Sequence, residues 1–212
     1  MAAVLETIVD TDGSQVYIIR NWLQPDLCTE LLRRMSAEFP WIQGMTFGQP
    51  IPRLMAFLGD QSINTYQYNN KVFKLESWNV PDEHMYSVVR KLRDCIRTDP
   101  TLASLGLQLD YNSCLMNFYR DGHDSIQMHS DKEALGPKNA VAAISFGATR
   151  TFILKNQVKG PNGRYPTIKT PINNGDLMIM AGECQKHWVH GINKEPGVTE
   201  PRISLTFRQI RN

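Results

Sequence analysis

The sequence predicts an α+β protein in which helices support one side of a β-sandwich. Two observations indicate this class. Before residue 100, two segments carry apolar residues at three- and four-residue intervals, whereas after about residue 107 short alternating segments follow one another between turn signals. Because helices are gathered in the first half and strands in the second, alternating βαβ units are not expected.

The first half is predicted to contain one strand, two helices and a loop-rich stretch. A strand rich in β-branched and aromatic residues covers 14–23, and a helix follows that begins at Pro25-Asp26. The apolar spacing predicts a second helix over 82–98. Between them, 42–81 is punctuated by Gly, Pro and Asn and carries six aromatic residues, which indicates loops and short strands.

The second half is predicted to be all β. Its segments have a period of two, as expected for strands with one buried face. In chain order they read NSCLMNFY, SIQMHSD, AVAAISFG, RTFILK, TIKTPI, GDLMIMAG, KHWVHGI and RISLTFRQI.

Composition limits the class of protein without identifying it. The 212 residues are 42% hydrophobic and 21% charged, as in an ordinary globular domain. The formal net charge of +2 neither requires nor excludes a nucleic-acid partner, so a phosphate-binding surface would have to be a local patch.

The cysteines and the N-terminus indicate an intracellular, soluble protein, in the cytoplasm or the nucleus. The four cysteines have no CxxC spacing, which argues against a zinc cluster or a secreted disulfide framework. No run approaches the ~20 apolar residues that a membrane span needs, and the N-terminus lacks the pattern of a signal peptide. We therefore expect no membrane association.

The heptapeptide QMHSDKE contains a candidate metal site. His129 and Asp131 are two residues apart, so in an extended segment they share a face. His187 and His190 are three apart and would face opposite sides of a strand, so only one of them can be the third ligand. Two histidines and one carboxylate with open positions favour the facial triad of non-haem Fe(II) oxygenases, whereas structural zinc would recruit cysteines. The alternative is a polar surface turn beside a half-buried strand.

Two arginines in the last strand suggest a dicarboxylate ligand. Arg202 and Arg208 are six residues apart, an even spacing that directs both side chains to one face. Buried guanidinium groups need anionic partners, and 2-oxoglutarate would use both the open metal positions and the arginines. The alternative for Arg208 is a surface base near the C-terminal end.

In the order of these motifs, the chain resembles the AlkB family of Fe(II)- and 2-oxoglutarate-dependent nucleic-acid dealkylases. The resemblance runs from Asn117 to Arg208 through NFYRDGHDSIQMHSDKE, SFGATRTFIL, GDLMIMAG, HWVHGI and PRISLTFRQI. It implies a double-stranded β-helix, or jelly-roll, catalytic core with N-terminal supporting helices and a nucleotide-recognition lid. A single domain would cover 1–212, with helices and lid over about 1–100 and the core over about 107–212.

The resemblance also implies roles for residues of the core. The iron ligands would be His129, Asp131 and His190, the last chosen over His187 because it occupies the family's His-Gly-Ile or His-Ser-Leu position.

The implied co-substrate residues lie on two of the predicted strands. Arg202 would hold the distal carboxylate of 2-oxoglutarate and Arg208 its keto-acid end, with hydrogen bonds from Asn117 and Tyr119. Ser204 departs from the family pattern, since many relatives have Asn there.

Substrate contacts are implied in the loop-rich stretch and at the end of the heptapeptide. The family's lid would place Tyr66 and Tyr68 against the damaged base, with Arg53 at a phosphate or base and Glu133 at the exocyclic nitrogen of the base. The alternatives are ordinary packing for the aromatic residues and a solvated charge for Glu133.

The implied reaction is oxidative demethylation of N1-methyladenine and N3-methylcytosine in DNA or RNA. It consumes O2 and 2-oxoglutarate at Fe(II) and releases formaldehyde, succinate and CO2. The base would leave its stack, which costs least in single strands or at damaged pairs. We expect a monomer that acts on single- or double-stranded nucleic acid. The alternatives are a 2-oxoglutarate-dependent hydroxylase or demethylase of a protein or small molecule, and a non-catalytic nucleic-acid-binding module.

Overall fold

A computed structural model describes residues 2–61, 63–68, 71–131 and 140–210, without the side chains of 67, 68 and 71. The helices are α1 Pro25–Glu38, α2 Met85–Thr98, α3 Pro100–Ala103 and α4 Cys184–His187. The strands of the first hundred residues are β1 Val4–Thr11, β2 Ser14–Arg20, β3 Ile42–Thr46, β4 Gln49–Gly59, β5 Thr65–Tyr68, β6 Lys71–Lys74 and β7 Glu76–Ser77. Those that follow are β8 Ser113–Tyr119, β9 Ile126–His129, β10 Val141–Gly147, β11 Arg150–Asn156, β12 Thr167–Ile172, β13 Leu177–Gly182, β14 Trp188–Ile192 and β15 Arg202–Arg208.

Two sheets form the sandwich that the sequence predicts. The large sheet has the order β1-β2-β13-β10-β15-β8-β4-β3, with β7 added to β4, and the small sheet has the order β12-β11-β14-β9. Side chains such as Met178 and Met180 of the large sheet pack with Leu154 and Trp188 of the small one. The central four strands of the large sheet and the four of the small sheet have the jelly-roll arrangement, so this prediction is confirmed.

The helices cover the outer face of the large sheet. Cys28, Leu31 and Met35 of α1 are buried in the same apolar cluster as Ile144 and Leu205 of the sheet, and the apolar residues of α2 join it. Alternate residues of β8, β10 and β15 therefore face the helices, whereas the residues between them face the small sheet. The predicted placement of the helices on one side is confirmed.

Three elements of the first half differ from the sequence prediction. Strand β1 was not predicted, and it pairs with β2 through a turn at Asp12-Gly13, where both φ values are positive at 50° and 70°. The second helix begins at Met85 rather than Asp82, because His84 caps it by accepting a hydrogen bond from the backbone of Tyr86. Strand β4 has eleven residues where loops and short strands were expected.

Strands β1 to β4 extend the large sheet, so the first hundred residues share that sheet with the predicted core. Within the described ranges, every helix is too short or too polar to cross a membrane.

Candidate metal centre and co-substrate site

The three predicted metal ligands lie together between the sheets. His129 ends β9 and stands opposite His190 of β14 in the strand register, and Asp131 follows two residues after His129. The Nε2 atom of His129 lies 3.8 Å from Oδ1 of Asp131, and Nε2 of His190 lies 3.7 Å from Oδ2. All three ligand atoms lie within 4.8 Å of one another, which is close enough to bind one ion.

The protonation states of the two imidazoles suit metal binding. Nδ1 of His129 lies 2.8 Å from the carbonyl oxygen of Gln127, which can only accept, so the proton is on Nδ1 and the lone pair of Nε2 faces the site. Burial lowers the pKa of His129, and it lowers the pKa of His190 to about 3. Both rings are therefore neutral at pH 7, as a metal ligand must be. The ring of Phe152 stacks on His190 at a centroid distance of 5.4 Å and supports its orientation.

Asp131 is held at both its side chain and its backbone. Its Oδ1 accepts a hydrogen bond of 2.6 Å from Nη2 of Arg208, and its backbone N–H donates to Oε1 of Gln185 at 2.8 Å. Although burial alone would raise it, the guanidinium of Arg208, joined at acidic pH by the protonated imidazoles, holds the pKa of Asp131 at about 2. The carboxylate is thus charged at neutral pH. Its Oδ2 has no hydrogen-bond partner among the described residues, so it fits a metal ligand.

The predicted co-substrate residues share the inner face of the large sheet. Register pairs Tyr119 with Arg202, and Asn117 with Ser204, across β8 and β15. Ser204 in turn pairs with Ser145 of β10, which makes a polar row across three strands. All of these side chains are buried. The even spacing of Arg202 and Arg208 does place both on this face, as the alternation predicts.

Arg202 fits the carboxylate of 2-oxoglutarate. Its Nε donates to the hydroxyl of Ser145 at 2.8 Å, and its guanidinium carbon lies 5.2 Å from the ring centre of Tyr119. Its Nη1 is buried and has no hydrogen-bond acceptor within the described part of the chain. Burial lowers the pKa of Arg202 and the neighbouring Arg150 adds to this, although Tyr119 and Glu195 act in the opposite direction. A ligand carboxylate would supply the acceptor that Nη1 lacks.

The predicted substrate-contact residues have different positions. Arg53 of β4 is buried, and its Nε donates to Oδ1 of Asn117 at 2.6 Å. Tyr66 of β5 is 2% exposed and packs against Phe57 at a centroid distance of 5.4 Å. Tyr68 ends β5, but its side chain lies outside the described part, and Glu133 lies outside the described residues. Contacts of all four residues with a base stay predictions.

The sequence analysis did not single out three residues that support the site. Ser145 and Gln185 contact Arg202 and Asp131, respectively. Arg150 is 1% exposed and donates to the carbonyl oxygens of Asp121, Asp124 and Asn193, which fixes the loops next to Tyr119. Arg150 is the first residue of a predicted strand in SFGATRTFIL. A charged residue at the start of an otherwise apolar strand is the sequence feature that could have identified it.

A jelly roll with two histidines and one carboxylate between its sheets defines the class of mononuclear non-haem iron proteins. A sequence model of the 2OG-Fe(II) oxygenase superfamily matches residues 15–208. The chain belongs to this superfamily and, within it, to the AlkB family, which confirms the resemblance. Fe(II) is therefore its metal, and 2-oxoglutarate and O2 are its co-substrates.

Relatives with curated names support the assignment. Alpha-ketoglutarate-dependent dioxygenase alkB homolog 3 of Homo sapiens is 34% identical over 94% of this chain and 68% of its own length. The Mus musculus protein of that name is 34% identical over 85% of this chain, which spans 60% of the mouse protein. DNA oxidative demethylase ALKBH2 of Homo sapiens is 29% identical over 85% of this chain and 68% of its own length. The solved structure of OsALKBH1 has the same fold, with a TM-score of 0.62, 18% identity, and coverage of 96% of this chain and 100% of that chain.

Proposed function

We propose that the chain is an oxidative dealkylase that removes methyl groups from N1-methyladenine and N3-methylcytosine in nucleic acid. The observation that carries the reaction type is the complete His129, Asp131 and His190 cluster beside the buried Arg202. The substrate class is supported by the name of the ALKBH2 relative, a DNA oxidative demethylase.

The residues of the site bind and orient the reactants. When bound, Fe(II) with 2-oxoglutarate and O2 supplies the oxidising chemistry that hydroxylates the N-methyl carbon of the base. Arg202 and Ser145 hold the distal carboxylate of the co-substrate, while Arg208 holds Asp131 and serves the keto-acid end. The hydroxymethyl group leaves the base nitrogen as formaldehyde, and the nitrogen recovers a lone pair or a proton. Succinate and CO2 account for the remaining atoms.

Two surface features support a nucleic-acid substrate. Phe47 is fully exposed at the turn between β3 and β4, where its φ is +47° and that of Gly48 is +77°. An aromatic ring presented this way can stack on an unpaired base. On the β11–β12 side, the ammonium groups of Lys155 and Lys159 lie 4.9 and 5.7 Å from the ring centre of Tyr165, and both can contact phosphates.

The base pocket is proposed to lie next to β4 and β5. Tyr66 and Tyr68 would form its aromatic wall, Arg53 would approach the base or a phosphate, and Glu133 would meet the exocyclic nitrogen. We further propose that the protein is a monomer that accepts single strands most readily, because a base then leaves its stack at the lowest cost. The four free cysteines are compatible with the cytoplasm or the nucleus.

The test is a turnover measurement on matched lesions. Protein, Fe(II), 2-oxoglutarate and ascorbate are incubated with 1-methyladenine or 3-methylcytosine in single-stranded DNA, duplex DNA and single-stranded RNA. We expect demethylation with equal amounts of formaldehyde and succinate, and none with His129→Ala. A lesion that survives many equivalents of active protein would refute the proposal.

The same reaction separates the alternatives. Succinate formed with a peptide or small molecule, but not with any methylated oligonucleotide, would identify another substrate class. Oligonucleotide binding without turnover, and unchanged by His129→Ala, would identify a non-catalytic binding module. For the surface contacts, Phe47→Ala should weaken oligonucleotide binding, whereas the matched exposed variant Val158→Ala should not.

A further inference from the structure

Arg53 and Asn117 form a buried pair beside the metal ligands. Their exposed fractions are 3% and 4%, and Nε of Arg53 donates to Oδ1 of Asn117 at 2.6 Å. The guanidinium also contacts the segment between β8 and β9, since its Nη1 donates to the carbonyl oxygen of Ser125 at 3.3 Å. These two contacts fix the position of the Arg53 guanidinium next to the amide of Asn117.

The chemistry of arginine determines which end of the Asn117 amide faces it. A guanidinium has only donors, whereas a side-chain amide has a carbonyl acceptor at one end and an NH2 donor at the other. The carbonyl end of Asn117 must therefore face Arg53. Consequently Nδ2, with its two hydrogens, points to the other side.

On the side of Asn117 away from Arg53 lies the polar row that crosses β8, β15 and β10 on the inner face of the large sheet. Register places Asn117 opposite Ser204, and Ser204 opposite Ser145, which already accepts from Arg202. Within the described residues, no hydrogen bond engages Nδ2 of Asn117. A donor in this row is suited to a ligand that offers acceptors, and both carboxylates and the keto group of 2-oxoglutarate offer only acceptors.

We propose that Arg53 is a positioning residue for the co-substrate: it fixes the amide of Asn117 so that Nδ2 donates to 2-oxoglutarate. Arg53 does not touch the co-substrate in this role. Without Arg53, the amide of Asn117 can rotate and present its carbonyl oxygen to an anion, which repels it. The proposal rests on the 2-oxoglutarate site and is independent of the nucleic-acid substrate.

The main test is a double-mutant cycle on co-substrate affinity. Arg53→Met, Asn117→Ala and the double variant are loaded with Fe(II) without oxygen, and 2-oxoglutarate is titrated by calorimetry with no nucleic acid present. Asn117→Ala should weaken binding roughly tenfold, as expected for one hydrogen bond to a charged group. Arg53→Met should weaken it by a similar factor, and the double variant by no more than Asn117→Ala alone, because both changes remove the same donor.

Further variants separate positioning from a general structural effect. Asn117→Asp keeps an acceptor for Arg53 and should fold, yet it has no donor for the co-substrate, so its 2-oxoglutarate affinity should also fall about tenfold or more. Arg53→Lys, which keeps a donor, should restore part of the affinity. Arg20→Met removes a partly buried, paired arginine on β2 and should leave the affinity unchanged.

Three results would overturn the proposal. One is unchanged 2-oxoglutarate affinity in Asn117→Asp, and another is multiplication of the two single effects in the double variant. The third is Arg53→Met with normal co-substrate affinity but weaker oligonucleotide binding, which would assign Arg53 to the substrate. Failure to demethylate oligonucleotides would refute the proposed function alone, because the titration contains none.

Discussion

Replacing Arg202 with Met should change stability and co-substrate affinity in opposite directions. Arg202 is 4% exposed, and it makes one hydrogen bond to Ser145 while its Nη1 has no acceptor in the described structure. Burial lowers its pKa, which means that the folded protein holds this cation at a cost. Met has a similar stem and removes the charge.

The expected magnitudes follow from these contacts. Replacing a buried charged group with an apolar one of similar volume stabilises a protein by about 1–4 kcal/mol, and losing the bond to Ser145 costs about 1 kcal/mol. The free energy of unfolding should therefore rise by roughly 0–3 kcal/mol without co-substrate. Two lost hydrogen bonds to a carboxylate, at about 1.5–3 kcal/mol each, should weaken 2-oxoglutarate binding by a factor of at least ~100.

Urea unfolding with and without 2-oxoglutarate measures both effects, with Mn(II) in place of Fe(II) to avoid oxidation. At a concentration of 100 times its Kd, 2-oxoglutarate should stabilise the unmodified protein by about 2.7 kcal/mol. At the same concentration, a Kd raised 100-fold leaves about 0.4 kcal/mol for Arg202→Met.

Arg202→Lys is the matched control, because it keeps a charge but loses the forked donor. For Arg202→Lys, 2-oxoglutarate should raise the free energy of unfolding much less than it does for the unmodified protein. Without co-substrate, this variant should be no more stable than the unmodified protein. The reasoning is refuted if Arg202→Met is stabilised by 2-oxoglutarate as strongly as the unmodified protein. It is also refuted if the variant is less stable than the unmodified protein when co-substrate is absent.

Other features of the structure give three further predictions. His190→Ala should abolish Fe(II) binding in calorimetry while His187→Ala retains it, because His187 contacts Ser14 instead of the ligand cluster; equal losses would contradict the assigned triad. In the native protein, a thiol reagent at pH 8 should modify the exposed Cys95 quickly and the three buried cysteines slowly, since burial raises their pKa values; four fast thiols would contradict this burial. Burial raises the pKa of Asp124, but hydrogen bonds from Arg120 outweigh this and lower it, so the stabilisation is present at neutral pH and is lost as the pH falls below about 4. Urea unfolding should accordingly show Asp124→Asn less stable than the unmodified protein at pH 7, with a smaller difference at about pH 3; a difference independent of pH would contradict the shift.

The sequence predicts the second half well because its strands obey a simple period. Side chains that alternate between helix-packed and site-facing positions place Arg202 and Arg208 on one face, and the register confirms this. The pair His129 and Asp131 could be predicted for the same reason. The choice between His187 and His190 could not be made from spacing alone, because His187 ends a one-turn helix that precedes the strand.

The first half was harder to predict because local signals conflict with tertiary pairing. Pro50 and Pro52 are typical of loops, yet both lie in the first part of β4, before its pairing with β8 begins at Leu54. Pro50 stands opposite Met45 of the edge strand β3. Strand β1 was missed although Asp12-Gly13 is a strong hairpin signal.

The supporting residues of the site could not be predicted from sequence. Ser145 and Gln185 act through contacts between residues far apart in the chain, 57 positions for Ser145 with Arg202 and 54 for Gln185 with Asp131. Serine and glutamine are common, and their spacing in the chain carries no signal of these contacts.

The position of β9 has a consequence for the protein without its metal. Among the described residues, this four-residue strand is at the edge of the small sheet, and its pairing with β14 is interrupted by a register shift between His190 and Ile192. An ion bound to both histidines would therefore cross-link an edge strand that its own ladder holds weakly. Amide hydrogens of β9 should exchange with solvent much faster after the metal is removed, while those of the central strand β10 should change little. We therefore expect the metal to stabilise this edge of the small sheet in addition to its part in the reaction.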